Sequence, residues 1–261
     1  DIDAFATLNQ ELIEKKKKMS NKLEHNRHSN HAIPPNVFEE TGVAIKQKCM
    51  SEKGWTRIIV EKPFGRDLQS CEELLATLSK HFSEDQLFRI DHYLGKEMVQ
   101  NLLVLRFGNI MFENIWNRDN VQCVMLTFKE PFGTDGRGGY FDNYGIIRDI
   151  VQNHLLQVLT LLAMEPPTKA DGPESGESIR NAKVNVLHAI PPITLDECFL
   201  GQYEGYTDDE TIKNKDSNTP TFVVIRCFIH TPRWAGVPFI LKAGKALNER
   251  KAEMRIQFKD A

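Results

Sequence analysis

Residues 89–97 read RIDHYLGKE and concentrate an acid, an imidazole, a phenol and an ammonium within a few positions. Asp91, His92, Tyr93 and Lys96 together have the chemistry to bind an anion and to orient a base. If a helix starts near Tyr93, His92 and Lys96 lie four apart and share a face. A helix N-terminus beside a lysine suits a phosphate, because backbone N–H groups and a cation point the same way. The plain alternative is a solvated helix start. Two further stretches weigh against it, EKPFG at 61–65 and RDIVQNH at 148–154. Glu61-Lys62-Pro63 follows an apolar run directly, and the carboxyl ends of parallel strands are where ligands bind in open sheets. An ordinary strand-to-helix turn, sharpened by Pro63, is the competing reading. In 148–154, Asp149 and Asn153 are four apart and can face one cleft. His154 reads either as a satisfied core histidine or as a proton acceptor, with Asp149 a turn away and Asp91 as a candidate carboxylate partner. Lys242, Lys245, Arg250 and Lys251 form a later cationic cluster, either an anion site or a basic strand surface.

The elements that must hold these groups follow from periodicity and punctuation. Residues 1–24 read as helix, ending in four consecutive lysines at 15–18 that suit a solvated helix end. The histidine-bearing stretch 25–31 is polar and reads as a flexible loop rather than a metal site. Two prolines make 32–35 extended, Asn36 caps a helix running to about 49, and the run 55–60 is a buried strand. Asp67 caps a helix over 68–81, and 87–90 is a second short strand, so Lys62 and Asp91-His92 fall at one rim of a parallel sheet. A helix follows over 96–106, then a strand over 121–128 expected to be antiparallel. The glycine-rich stretch 133–139 matches neither a dinucleotide nor a Walker pattern and reads as a tight connection. Residues 146–164 form the most apolar helix, buried nearly all round, and its polar groups need partners. Strands are expected at 184–189, 221–229 and 253–258, and 201–220 is expected to be a mobile surface loop.

The chain has 261 residues with 36 acidic and 33 basic side chains, a balance that leaves no global footprint for nucleic acid or an anionic membrane. It contains no apolar run of roughly 18 residues that would span a bilayer. Five cysteines, odd in number and without a CxxC pair, argue against zinc or dithiol chemistry and for free thiols in a reducing compartment. No metal site is expected.

Six stretches closely resemble the glucose-6-phosphate dehydrogenase family: RIIVEKPFGRD at 57–67, RIDHYLGKEMVQNL at 89–102, FKEPFG at 128–133, GGYFD at 138–142, RDIVQNH at 148–154 and GKALNERK at 244–251. The similarity runs in order from about Ala32 to the end. The resemblance implies the C-terminal part of a Rossmann-type domain over 1–91 and a β+α substrate and dimerisation domain over 92–261 with a large, mainly antiparallel sheet. It implies hydride transfer from C1 of glucose 6-phosphate to NADP, giving the lactone that opens the pentose phosphate pathway. It makes His154 the general base and Asp91 the carboxylate that orients it, consistent with a near-neutral imidazole acting at pH 7. It makes Lys62, His92, Tyr93, Lys96, Glu130, Asp149, Lys245 and Arg250 substrate ligands, with Lys62 also at the cofactor, and Phe38 stands where the family has a cofactor-contacting tyrosine. Lys242, Lys251 and Arg255 match a second, structural NADP site. It further implies a cytoplasmic homodimer or homotetramer without nucleic-acid or membrane partners, an ER-lumenal relative being the alternative within the class. The family's GxxGDLxxxK-type nucleotide turn does not occur here, and HSNH at 28–31 stands where the family has an apolar strand. Little turnover is therefore expected from these residues alone, and a non-catalytic phosphosugar-binding or subunit-association fragment is the alternative reading from another class.

Overall fold

The computed structural model describes residues 2–19, 26–31, 33, 37–62, 64–169, 171, 172 and 174–260, the side chains of 16–19 excepted. His25, the pair of prolines, the Asn36 cap and Pro63 lie outside the described residues. Two compact units divide the chain at Asp1–His92 and Tyr93–Ala261.

The first unit is α/β. Helix α1 (Ile2–Met19) precedes β1 (Arg27–His31), α2 (Phe38–Lys48), β2 (Thr56–Val60), α3 (Leu68–Ser79) and β3 (Leu87–Arg89). The three strands form one parallel sheet in the order β1-β2-β3. β2 forms because TRIIV is rich in β-branched residues, and Thr56, Ile58 and Val60 alternate into the interior. α3 starts where expected, with Asp67 and Ser70 closing a reciprocal capping box. The core gathers Phe38, Ile45, Ile58, Val60, Leu78, Phe82 and Leu87.

β1 corrects the expectation of a flexible loop at its position. Its sequence, RHSNH, has no apolar residue, yet every position pairs with β2, from Arg27 opposite Thr56 to His31 opposite Val60. Backbone pairing with an apolar neighbour overrides side-chain polarity here. The histidines do not converge. His28 lies against Trp55 at 4.8 Å, whereas His31 is buried against Phe38, and burial lowers its pKa. Among the described residues no cluster of three or more metal-ligating side chains occurs.

The second unit is α+β. It contains α4 (Glu97–Phe107), α5 (Ile110–Ile115), β4 (Val121–Lys129), α6 (Gly138–Ile146), a π-helix (Ile147–Leu155), α7 (Leu156–Ala163), α8 (Ser175–His188), β5 (Cys198–Gly201), β6 (Phe222–Phe228), β7 (Pro238–Gly244) and β8 (Lys251–Phe258). The sheet order is β5-β6-β7-β4-β8. Only the β4–β7 pairing is parallel, so the sheet is mainly antiparallel and β4 itself is mixed. One face packs Val124, Leu126, Phe239 and Leu241 into a core shared with Val151, Leu155, Leu159 and Leu162. Each such side chain contributes about 2 kcal/mol by burial.

Three further expectations are corrected in this unit. Residues 184–188 are helical, as the end of α8, and Ala189 is its C-cap. Ile179, Ala182 and Val186 recur at helical spacing and pack on the core; the local apolar run resembles a strand only in a short window. The stretch 201–220 is anchored rather than free, since Tyr206 and Ile212 are each 1% exposed. The apolar helix over 146–164 is not a uniform α-helix: it is wound as a π-helix over its polar first half and as α beyond.

Candidate active site

The first unit holds a paired cation and carboxylate of its own. β2 ends at Val60 and β3 at Arg89, which are in register, and Ile90 N–H donates to the Val60 carbonyl at 3.0 Å. The two strands therefore release their next residues at one rim, as the strand order predicts. Lys62 Nζ donates to Asp91 Oδ2 at 2.6 Å, with side chains 14% and 8% exposed. His92 follows and is exposed. Phe38 is 1% exposed and belongs to the core of this unit.

In the second unit Tyr93 is the hub of a stack. Its ring lies parallel to the His154 imidazole, with centroids 4.1 Å apart and planes 24° from each other. Lys96 Nζ lies 4.0 Å from the same ring centroid, where the quadrupole of a phenol attracts a cation. His154 and Tyr93 are buried and Lys96 is exposed, so the column runs from the interior to the surface. The helix after this motif falls where it was expected, over Glu97–Phe107 with Lys96 as its N-cap, rather than starting near Tyr93, and Lys96 N–H donates to the Tyr93 carbonyl. His92 and Lys96 are consequently joined by a turn rather than stacked on a helical face.

Lys245 ties a second cluster. Its Nζ donates to Glu130 Oε2 at 2.6 Å and lies 3.6 Å from Asp149 Oδ2. Backbone bonds set this geometry: Glu130 N–H donates to the Gly244 carbonyl, and Leu247 N–H returns to the Glu130 carbonyl. The turn is tight enough to hold Ala246 at φ 53°, the one non-glycine positive φ among the described residues. That conformation costs an alanine roughly 1 kcal/mol and is a mark of constrained sites. Two carboxylates against one ammonium leave an acceptor-rich cluster. The pKa of Asp149 is raised, because burial outweighs the opposing pull of Lys245 and Glu130 adds to the rise. Asp149 and Lys245 line a cavity of about 190 Å³ together with Gly133, Thr134, Arg137 and Tyr140. Arg137 was not singled out from the sequence, although it lies inside the glycine-rich stretch that was.

That stretch cradles an anion, and the anion is internal. The Asp209 carboxylate accepts from Gly136 N–H at 3.1 Å, Gly138 N–H at 3.2 Å and Thr134 Oγ1 at 3.2 Å. A side chain at Gly138 would meet Asp209 and Ile212 at 2.8 and 2.6 Å, so only glycine permits the approach. The hydroxyl and N–H of Thr211, then the loop donors, hold Asp209 down at a pKa of about 2.

Lys242, Lys251 and Arg255 share the open face of the sheet. Lys242 is in register with Thr127, which is opposite Glu253, and alternation puts residues 251, 253 and 255 on one side of β8. Glu253 bridges to Lys251 at 2.9 Å and to Arg255 at 3.3 Å. Arg250 is exposed just before β8.

A Rossmann-type α/β unit followed by a mixed-sheet α+β unit defines the class of fold. Residues 1–101 match the glucose-6-phosphate dehydrogenase NAD binding domain, and residues 103–261 match the glucose-6-phosphate dehydrogenase C-terminal domain. Within that class the chain belongs to the glucose-6-phosphate dehydrogenase family. It is 60% identical over 232 residues to glucose-6-phosphate 1-dehydrogenase 6, cytoplasmic, of Arabidopsis thaliana, covering 88% of this chain and 44% of the relative. It is 54% identical over 268 residues to the Drosophila melanogaster glucose-6-phosphate 1-dehydrogenase, covering 98% of this chain and 49% of the relative. A solved glucose-6-phosphate dehydrogenase in complex with its substrate glucose-6-phosphate superposes with a TM-score of 0.92 at 49% identity, covering all of this chain and 54% of that one. The chain thus spans about half the length of the relatives it matches.

Proposed function

We propose that this chain carries the sugar-phosphate site and the general base of an NADP-dependent glucose-6-phosphate dehydrogenase. The observation that carries the reading is the Lys96–Tyr93–His154 column standing in the same unit as the Lys245–Glu130–Asp149 cluster. The two groups suit the two ends of a phosphorylated sugar. Lys96 and the Tyr93 hydroxyl, with His92, supply donors for a phosphate dianion. Glu130 and Asp149 are acceptors for sugar hydroxyls, and Lys245 holds both carboxylates in place. The resemblance places Lys245 on the phosphate; its ion pairs with Glu130 and Asp149 put it, in this reading, at the hydroxyl end. An imidazole nitrogen of His154 takes the proton of the C1 hydroxyl as the C1 hydride departs, and stacking on Tyr93 fixes the plane of that ring.

A bound NADP supplies hydride acceptance at its nicotinamide. Lys62, at the carboxyl end of β2, fits a role beside it, and the ion pair with Asp91 keeps the lysine oriented. The triad Lys242, Lys251 and Arg255 has an excess of positive charge over Glu253 alone on one sheet face, which fits the phosphates of a second, structural NADP. Arg250, exposed at the entry to β8, is assigned to the substrate region. Phe38 stands where the family has a cofactor-contacting tyrosine, but at 1% exposure it fits a place in the core behind the cofactor side rather than a direct contact. Self-association as a homodimer or homotetramer is supported by exposed Phe199 and Leu200 on edge strand β5 and Phe258 on edge strand β8. A cytoplasmic setting is supported by the cytoplasmic name of the Arabidopsis relative. No helix among the described residues is long and apolar enough to cross a membrane.

Calorimetric titration with glucose 6-phosphate tests the reading. Saturable binding is expected, with affinity at least about 100-fold weaker in a His92→Ala, Lys96→Ala variant, since hydrogen bonds to a charged group are worth roughly 1.5–3 kcal/mol each. Equal binding by both proteins sinks it.

A further inference from the structure

We propose that the π-helix Ile147–Leu155 is the positioning device of this site, held in its wide winding by a clamp on the C-terminal end of α7. The inference rests on the reading of Asp149 and His154 given above. Asp149 and His154 are five residues apart. In an α-helix, residues at that spacing point roughly 140° away from each other. With i→i+5 bonding, near 4.4 residues per turn, they come within about 50°. The wide winding is present at the junction, where Leu156 N–H donates to the Val151 carbonyl. Asp149 meets Lys245 and His154 stacks on Tyr93 within one unit because of it.

Long π-helical stretches are rare, so something must hold this one. Its entrance is set by Gly145, at φ 66°, and by Ile146 N–H donating to the Pro220 carbonyl at 3.0 Å. Its exit is set by four consecutive carbonyls at the end of α7, each taken by a side-chain donor. Arg106 Nη1 donates to Leu161 O and Nη2 to Met164 O, both at 2.8 Å. Trp116 Nε1 donates to Leu162 O at 2.9 Å and Trp234 Nε1 to Ala163 O at 2.8 Å. All three side chains are buried, at 2%, 3% and 0% exposure. Arg233 braces them, donating to the Trp116 carbonyl and to Glu113 and Glu165. Helix ends leave such carbonyls without intrahelical partners. Here the caps come from three different segments, so they fix the rotational phase of the helix as well as satisfying its end. Arg106, Trp116 and Trp234 are positioning residues.

The test uses the full chain and two backgrounds. Trp116→Phe with Trp234→Phe keeps an aromatic ring at each position and removes two N–H donors with the pyrrole half of each indole. Deleting Gln152, which is exposed, leaves Asp149 and His154 four apart, within roughly 40° on an ordinary α-helix. In the native spacing the clamp variant is expected to bind glucose 6-phosphate about tenfold more weakly. In the Gln152-deleted background the same substitutions are expected to change binding by no more than about threefold, a coupling that a merely structural role does not produce. NMR gives a readout independent of activity. The Leu156 amide and the Tyr93 ring-current shift on His154 should be altered by the clamp variant in the native spacing only. Equal losses in both backgrounds, or an unchanged Leu156–Val151 bond in the clamp variant, overturn the inference. If the unsubstituted chain binds no glucose 6-phosphate, the functional reading fails and the NMR criteria alone judge the positioning. Should the double substitution fail to fold, Trp116→Phe alone is read by the same criteria.

Discussion

Asp149 is a carboxyl that the fold makes reluctant to ionise. Burial is the first cause, Lys245 opposes it, and Glu130 beside the same ammonium adds to the rise. A carboxyl whose folded pKa lies above its unfolded value holds its proton more tightly when folded. Its favourable contribution to stability is then complete below the unfolded pKa and lost as pH rises through the folded one. The consequence for a ligand runs the other way. In the proposed reading ionised Asp149 accepts from a sugar hydroxyl, and protonated Asp149 has lost part of that capacity. Affinity for glucose 6-phosphate should therefore begin to fall, on acidification, at a pH above the ordinary aspartate range. Titrations across that window should show the fall flattened in Asp149→Asn, whose affinity at neutral pH is about tenfold weaker. An undiminished slope in that variant rules out Asp149 as the titrating acceptor. At this scale much of the site was legible: acids, imidazole, phenol and lysines are visible as types. What spacing could not show was pairing. The stack of Tyr93 on His154 and the bridging of two acids by Lys245 depend on backbone segments far apart in sequence.

Elements with an internal signature were read correctly, and those set by neighbours were not. Asp67 announces α3, and TRIIV announces β2. β1 carries no such signal, because its strand state comes from the register with β2. The end of α8 looks like a strand in a six-residue window and like a helix only when Ile179 and Ala182 are included. The π-helix is invisible to any fixed period, since its winding is imposed from both ends. The glycine-rich loop gives a related lesson: its amides do cradle an anion, supplied by Asp209 from a distant segment. Asp209, with its pKa lowered to about 2, stabilises the loop above the unfolded carboxylate range and loses that effect as pH falls toward 2. Asp209→Ala should speed amide exchange at Gly136 and Gly138 by about tenfold. Unchanged protection there would mean that other contacts hold the loop.

At the scale of the molecule, two cores of different construction serve one chain. The first is a small parallel sheet whose strand order brings Lys62 and Asp91 to one rim, as alternating helices and strands predict. The second is a mixed sheet in which one parallel pairing, β4 with β7, sets Glu130 beside Lys245. The division into α/β and α+β halves was legible from element order; the parallel pairing inside an otherwise antiparallel sheet was not, because it joins strands separated by most of the unit. The clamp on α7 has an optical consequence. Of the three tryptophans, Trp116 and Trp234 are sealed in the interior with their indole N–H groups fixed on carbonyls, and Trp55 is 37% exposed beside Arg57. Intrinsic fluorescence should accordingly separate into a blue-shifted, quencher-resistant component from the clamp and a red-shifted, acrylamide-sensitive one from Trp55. In Trp55→Phe the emission becomes a direct gauge of whether the helix that carries His154 is still gripped at its far end.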